Sequence, residues 1–226
     1  KSKLLRIPLV KALNDFRINL RDKRELQSRQ HLIPQIAKCI NDDTTVISNN
    51  CFAGRIMQDL NMKYNSPTLG LYIWTPDYIE FVSKLKYYLT EAKLTFVKHS
   101  KYPLGERRSK WSHWYPIGLL DGKVEIQFLH YHSEKEAAEK WYRRAARINW
   151  NNIMVIGMEQ NLCTIKDIYD FDKLPVAKKV IFTSRNLSDV KSNIYLKEFD
   201  GRDEVGDAYR FSDVYYRGLI EYFLRQ

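Results

Sequence analysis

The chain is expected to fold as an α/β protein: a three-layer, mixed and largely parallel sheet with helices on both faces, preceded by a helical, basic amino-terminal arm. Three observations predict it. Short β-branched runs alternate with helical patterns from Thr44 onward, which is the pattern of strands joined by crossover helices. An Asp121-Gly122 turn between two apolar runs adds a hairpin, so the sheet is mixed. The first 43 residues contain no convincing strand. The organisation expected is therefore an arm over residues 1–43 and a single domain over 44–226.

Taken in order, residues 21–40 are the best helix of the arm, and T-T-V-I-S at 44–48 is the first strand. An Asn49-Asn50 turn then leads into a helix from about residue 53 to 60. S-P-T-L-G-L-Y-I-W at 66–74 reads as a second strand. Thr75-Pro76-Asp77 starts a helix reaching Thr90, with Thr as cap, Pro in the first turn and an acid near the helix N-terminus. Residues 94–98, 117–120 and 123–129 are strands, the last two joined by the Asp-Gly turn. Ser133 and Glu136 form a capping box ahead of a helix that runs to about residue 148. Strands at 152–157 and 179–183 flank a short helix after Thr164, 194–199 is an edge strand, and 211–225 is a terminal helix.

The net charge of +10 is concentrated. Residues 1–30 hold nine Lys/Arg against three acids, and residues 97–116 hold five against one, while the remainder is neutral. A basic arm and a basic loop on a neutral body point to an anionic partner. No apolar run approaches the roughly 20 residues that span a bilayer, and K-S-K-L-L-R-I-P-L-V is too short and interrupted for a signal peptide. Cys39, Cys51 and Cys163 are odd in number and show no C-x-x-C spacing, so neither a disulfide framework nor a structural zinc site is expected. The location expected is cytoplasmic, with peripheral membrane contact through residues 1–30.

Candidate chemistry gathers where strand 123–129 runs into the helix after Ser133, because ligands of α/β proteins bind at such junctions. His130 and His132 flank Tyr131 there. A histidine at such a mouth acts as general acid or base, or is held structurally, and both readings stand. On the helix, Arg143 has Glu139 four residues upstream, but Arg144 and Arg147 follow Lys140 and Arg143 instead. Unpaired and mutually repelling, these two arginines suit an external anion. The Asn49-Asn50-Cys51 turn offers backbone amides for phosphate and a cysteine whose thiol pKa would be lowered at a helix start. An inert buried Cys in an Asn turn is the other reading. Asp77, after the strand at 66–74, is a further candidate. The long loop 98–115 interleaves bases with Tyr102, Trp111, Trp114 and Tyr115, a composition that suits sugars, sugar phosphates or unpaired bases. Asp170-Phe171-Asp172 carries little weight as a metal motif, no other metal site is expected, and nine glycines leave no glycine-rich nucleotide loop.

S-N-N-C-F-A-G at 48–54, S-P-T-L-G-L at 66–71, L-K-Y-Y-L at 85–89, Y-P-I-G at 115–118, the run from His130 to Trp150, F-D-K-L-P at 171–175 and E-V-G-D at 204–207 carry a resemblance. Together they resemble a bacterial domain-of-unknown-function family labelled as exopolysaccharide (capsule) biosynthesis proteins, over about residues 44–210. The resemblance implies a surface-polysaccharide setting and no established reaction. Where that family's pattern is acidic and glycine-bearing, this chain reads Glu159-Gln160-Asn161-Leu162.

The expected function is a transferase acting on a sugar phosphate or nucleotide sugar. His130, Cys51 and Asp77 are its candidate catalytic residues, and Asn49, Asn50, Trp114, His132, Arg144 and Arg147 its candidate substrate-binding residues. The alternative is a non-catalytic accessory protein that docks on an anionic membrane. Nucleic acid is the least favoured partner, because the charge comes without a recognition motif.

Overall fold

Side-chain alternation along three parallel strands sets the architecture. The computed structural model describes residues 20, 22–105 and 114–225. In chain order it holds α1 (22–30), α2 (Ile33–Cys39), β1 (Thr45–Ser48), α3 (Phe52–Asp59), β2 (Tyr72–Ile73), α4 (Thr75–Ser83) and α5 (Leu85–Thr90). These are followed by β3 (Leu94–Val97), β4 (Ile117–Leu120), β5 (Val124–Gln127), α6 (Glu134–Ala145) and β6 (Ile153–Met158). The chain closes with α7 (Ile165–Asp172), β7 (Lys178–Thr183), β8 (Asn193–Tyr195) and α8 (Ser212–Leu224).

Strands β1, β6, β7 and β8 pair in that order, all parallel. Val46, Met154, Ile156, Val180 and Phe182 face one side, where they pack with residues of α2, α3 and α8. Their neighbours Ile47, Val155 and Ile181 face the other, against α4, α6 and α7. A parallel sheet buried on both faces between helices is the three-layer α/β arrangement the alternation predicts. The mixed character comes from a second ladder, β2-β5-β4-β3, which is antiparallel throughout. At its hairpin Asp121 and Gly122 both take positive φ, 47° and 66°, the conformation an Asp-Gly tight turn requires.

The two ladders meet at the free edge of β1. Ile73 N donates to Asn49 O at 2.9 Å, Ser48 N to Thr68 Oγ1 at 3.1 Å, and the buried Tyr78 hydroxyl reaches both Ile47 O and Ile156 O. This seam positions the site described below.

Several elements are shorter than the sequence predicts. The strand expected over 66–74 contracts to Tyr72–Ile73, because Ser66 and Thr68 bond each other and Gly70 turns the chain at φ 73°. The helix expected to reach Thr90 breaks at Lys84, whose ψ of 39° is not helical. Thr75 does not cap it: its hydroxyl donates to Gln160 O at 2.7 Å instead. The strand expected over 194–199 stops at Tyr195 and continues as a 3-10 turn, Lys197–Phe199. The helix expected over 21–40 is interrupted at residues 31–32, and Pro34 lies in the first turn of α2, where its missing N–H costs nothing.

Contacts cross the domain boundary expected at residue 43. Leu32, Ile36 and Ile40 lie in the same buried cluster as α3 and α8, and Arg29 is ion-paired with Asp59. The arm residues before 20, and residues 106–113 of the basic loop with Trp111, lie outside the described residues. Among the described residues no helix is long and apolar enough to cross a membrane.

Candidate functional site

A cleft of about 580 Å³ opens at the seam between the two ladders. Cys51 and Gly54 at the start of α3 form one wall, Tyr64, Leu69 and Gly70 a second, His130 and Tyr131 a third. Lys140 and Arg144 enter from α6, and Asp207 and Tyr209 from the segment before α8. The fold thus brings together Cys51, His130 and Arg144 from the sequence-predicted set, while Asn49, Asn50, Asp77, Trp114, His132 and Arg147 do not line the cleft.

Gly70 is what lets His130 sit at the rim. The backbone there has φ 73°, and a Cβ would lie 3.3 Å from His130 Cβ and 3.4 Å from the Tyr131 ring. His130 N donates to Gly70 O at 3.0 Å, which fixes the exposed histidine against this loop. The helix that follows is capped as expected through Ser133 Oγ, which accepts from Glu136 N at 3.1 Å. The return bond differs: Glu136 accepts from His132 N at 2.9 Å, one residue earlier than the capping box predicts.

Arg144 is the central cation. Its Nη1 donates to the Tyr131 hydroxyl at 2.6 Å and to Leu69 O at 3.2 Å, and its guanidinium lies 5.4 Å from the Tyr64 ring centre. Burial raises the Tyr131 pKa, an effect that Arg144 opposes. Among the described residues no carboxylate pairs with Arg144 or Arg147; Arg147 reaches only Tyr64 O, at 3.4 Å. Glu204 accepts from Asn161 N at 2.9 Å, and Asp200 lies beside Tyr195. Lys140 is bound to Glu136 at 2.5 Å and also lies 5.4 Å from the Tyr131 ring.

One expectation for the 49–51 turn is corrected. Burial, with Asp207 nearby, pushes the Cys51 thiol up to about 11, so at neutral pH it is a neutral thiol and not an activated thiolate. Several donors there are already engaged: Phe52 N goes to Asn50 Oδ1, Ala53 N to Ser48 Oγ and Asn49 Nδ2 to Met158 O. Asn50 Nδ2 is held by Gln160 Oε1 at 3.0 Å. These asparagines tie the β1 and β6 ends together.

Asp77 has a structural environment. It accepts from Lys101 Nζ at 2.8 Å and from Glu125 N at 2.7 Å, and so anchors the start of the 98–115 loop on β5. Trp114 is 62% exposed, and His132 is exposed. Asp170 pairs with Lys166, and Asp172 accepts from Ser192 N, so the D-x-D carboxylates do not converge. Among the described residues no group of three or more His, Cys, Asp and Glu could hold a metal ion.

The sequence reading did not single out Tyr64, Asp207, Tyr209 or Arg55. Asp207 Oδ1 accepts from Tyr209 N and Arg210 N, which sets the turn that carries Tyr209. Arg55 lays its guanidinium 4.0 Å from the Tyr209 ring centre, and burial raises the Tyr209 pKa to about 12. The one available signal was Gly54, where a Cβ would lie 3.4 Å from the Tyr209 hydroxyl.

Over 175 residues the chain is 39% identical to an uncharacterized protein of Haemophilus influenzae, a match that covers 77% of this chain and 78% of that one. A family match extends over residues 23–225, from α1 through the last residue of the described carboxyl end. It therefore takes in the segment that packs Leu32 and Ile36 into the core, and on this match the chain belongs to the family described as Domain of unknown function (DUF1919).

Proposed function

We propose that the cleft binds a sugar phosphate or nucleotide sugar and that the protein is a transferase of surface-polysaccharide assembly. The observation that carries this reading is Arg144, a guanidinium at a cleft wall between Tyr64 and Tyr131 with no carboxylate partner among the described residues. Guanidinium donors match phosphoryl oxygens, and tyrosine rings give apolar faces for a sugar. The surface-polysaccharide setting is supported by the motif resemblance in the sequence.

In this mechanism the acceptor hydroxyl gives its proton to His130 as its oxygen bonds to the sugar carbon. The bond from that carbon to the phosphate oxygen breaks, and the phosphate leaves with the electron pair, its charge held by Arg144 and Lys140. Cys51, as a neutral thiol, shapes the wall and forms no covalent intermediate.

Release of nucleotide or phosphate from a panel of nucleotide sugars and sugar 1-phosphates, with oligosaccharide acceptors, tests the reading. Arg144→Gln is expected to lower kcat/KM about a hundredfold, the scale of removing one charge-stabilising donor. Absence of turnover across the panel, with phosphorylated ligands bound equally by wild type and Arg144→Gln, would remove it. The nine bases against three acids in residues 1–30 favour a second reading, an accessory protein on anionic membranes. Liposome binding that is lost on deleting residues 1–20, without turnover, would establish that one, whereas liposome binding that survives the deletion would reject it.

A further inference from the structure

The cleft carries a carboxylate that the proposed transfer leaves unused. Asp207 is exposed and lines the cleft beside Tyr209, while the cations Arg144 and Lys140 enter from α6. Its Oδ1 accepts from Tyr209 N at 3.0 Å and from Arg210 N at 2.9 Å, and its Oδ2 has no hydrogen bond or ion pair among the described residues. Arg144 does not neutralise it, since that guanidinium donates to Tyr131 and Leu69 O. The two charges also act on different neighbours, Asp207 on the Cys51 thiol and Arg144 on the Tyr131 hydroxyl. The cleft therefore has an acidic part and a basic part.

Asp207 is held in place by the chain just before it. Gly206 O accepts from Gln160 Nε2 at 2.8 Å and from the buried Tyr215 hydroxyl, and Val205 O accepts from the same Nε2 at 2.9 Å. A Cβ on Gly206 would lie 2.6 Å from the Phe199 ring, so the backbone is pressed onto the core at that point. An acceptor fixed in this way loses little conformational freedom when a ligand arrives, and its free oxygen can discriminate between ligands. An ionised carboxylate accepts hydroxyls and repels phosphoryl oxygens. A ligand whose phosphoryl group sits at Arg144 thus gains at Asp207 only if it presents a hydroxyl there.

We infer that Asp207 is a specificity-determining residue of the cleft, whose Oδ2 accepts a sugar hydroxyl of a ligand held through its phosphoryl group by Arg144. The inference rests on the sugar-phosphate reading of the cleft and narrows it: the site selects a polyhydroxylated phosphate over bare phosphate.

The test is calorimetry on the full chain with inorganic phosphate, a hexose 1-phosphate and its monodeoxy forms as probes. Wild type is expected to bind the hexose 1-phosphate more tightly than phosphate. Asp207→Ser keeps a hydroxyl able to accept from Tyr209 N and Arg210 N, and removes Oδ2. It should weaken the hexose 1-phosphate at least tenfold, the scale of a hydrogen bond to a charged group. Inorganic phosphate should bind it as tightly as wild type or more tightly, because a repelling charge has gone. Asp207→Asn, which holds the turn through the same Oδ1, should shift both probes in the same directions. One monodeoxy hexose 1-phosphate should bind wild type more weakly than the parent and lose nothing further in Asp207→Ser, a pattern that a merely structural role does not give. Equal loss of both probes in the two variants would make Asp207 structural, and unchanged hexose 1-phosphate affinity would show that its oxygen meets no hydroxyl; either result overturns the inference. The two readings fail separately. Loss of both probes in Arg144→Gln without selective loss in Asp207→Ser keeps the cleft and rejects the role of Asp207, whereas a wild type that binds neither probe rejects both.

Discussion

Two arginines differ in what their removal does. Arg29 and Asp59 are 4% and 7% exposed, and the Tyr216 hydroxyl also donates to Asp59 at 2.8 Å. Replacing Arg29 by Gln strands a buried carboxylate, so a loss of about 3–5 kcal/mol in denaturant unfolding is expected. Arg144 makes hydrogen bonds but no ion pair among the described residues, and Tyr131 still donates to Leu69 O without it. Arg144→Gln should therefore cost about 1 kcal/mol or less, so that weaker ligand binding can be read as a site effect. A loss as large as that of Arg29→Gln would make Arg144 a structural residue. Cys51 gives a second check: with its thiol pushed up to about 11, iodoacetamide at neutral pH should label it far more slowly than a free cysteine. Rapid labelling would restore it as a nucleophile. Periodicity made Arg144 legible, because two residues four apart on one helix face are fixed by local geometry. Asp207 and Tyr209 were not legible, since their place beside Arg55 depends on how the last turn packs across the whole sheet.

At the scale of elements, Glu80 is the junction of three. It accepts from Lys123 on the hairpin at 2.8 Å, from Lys84 at the break between α4 and α5 at 3.0 Å, and from the Tyr88 hydroxyl of α5 at 2.9 Å. Lys123 first, with Lys84 and Tyr88, holds its carboxyl down at about 2. The folded value lies below the unfolded carboxylate value of about 4.3, so this contribution is fully present above that value and is lost as pH falls towards 2. The stability gap between wild type and Glu80→Gln should therefore be constant above about pH 5 and shrink steadily below about pH 4. A gap that stays constant down to pH 2 would show that the three contacts do not act through the charge. The junction also explains why α4 and α5 looked like one helix. Apolar spacing runs through residues 75–90 unbroken, and at the break Glu80 holds Lys84, four residues on, and Tyr88 of α5. Strands with apolar residues on both faces, such as β6 and β7, were legible because parallel burial leaves near-continuous runs. The stretch at 66–74 shared that composition, but its local Ser66–Thr68 bonding and Gly70 override the strand propensity.

For the whole molecule, the amino-terminal segment closes the core rather than decorating it. Helix α2 packs on α8, so the two ends of the described chain meet over one face of the parallel sheet. Leu32, Ile36 and Ile40 are 5%, 0% and 1% exposed there. Burying three such side chains is worth roughly 5–9 kcal/mol, comparable with the entire 5–15 kcal/mol that holds a typical domain. Composition could not show this, because the charge that marks residues 1–30 as an arm and the apolar residues that anchor α2 belong to adjoining stretches of one helical pattern. The boundary between dispensable and essential chain is thus expected near residue 22, not at residue 43. Deleting residues 1–20 should leave a chain that unfolds cooperatively with a midpoint close to that of the full chain. Deleting residues 1–43 should abolish cooperative unfolding, since it removes Arg29 from Asp59 and uncovers Phe52, Ile56 and Tyr216 together. If the shorter chain of 44–226 unfolds cooperatively with an undiminished midpoint, α2 contributes nothing to the core and the α2–α8 closure is wrong.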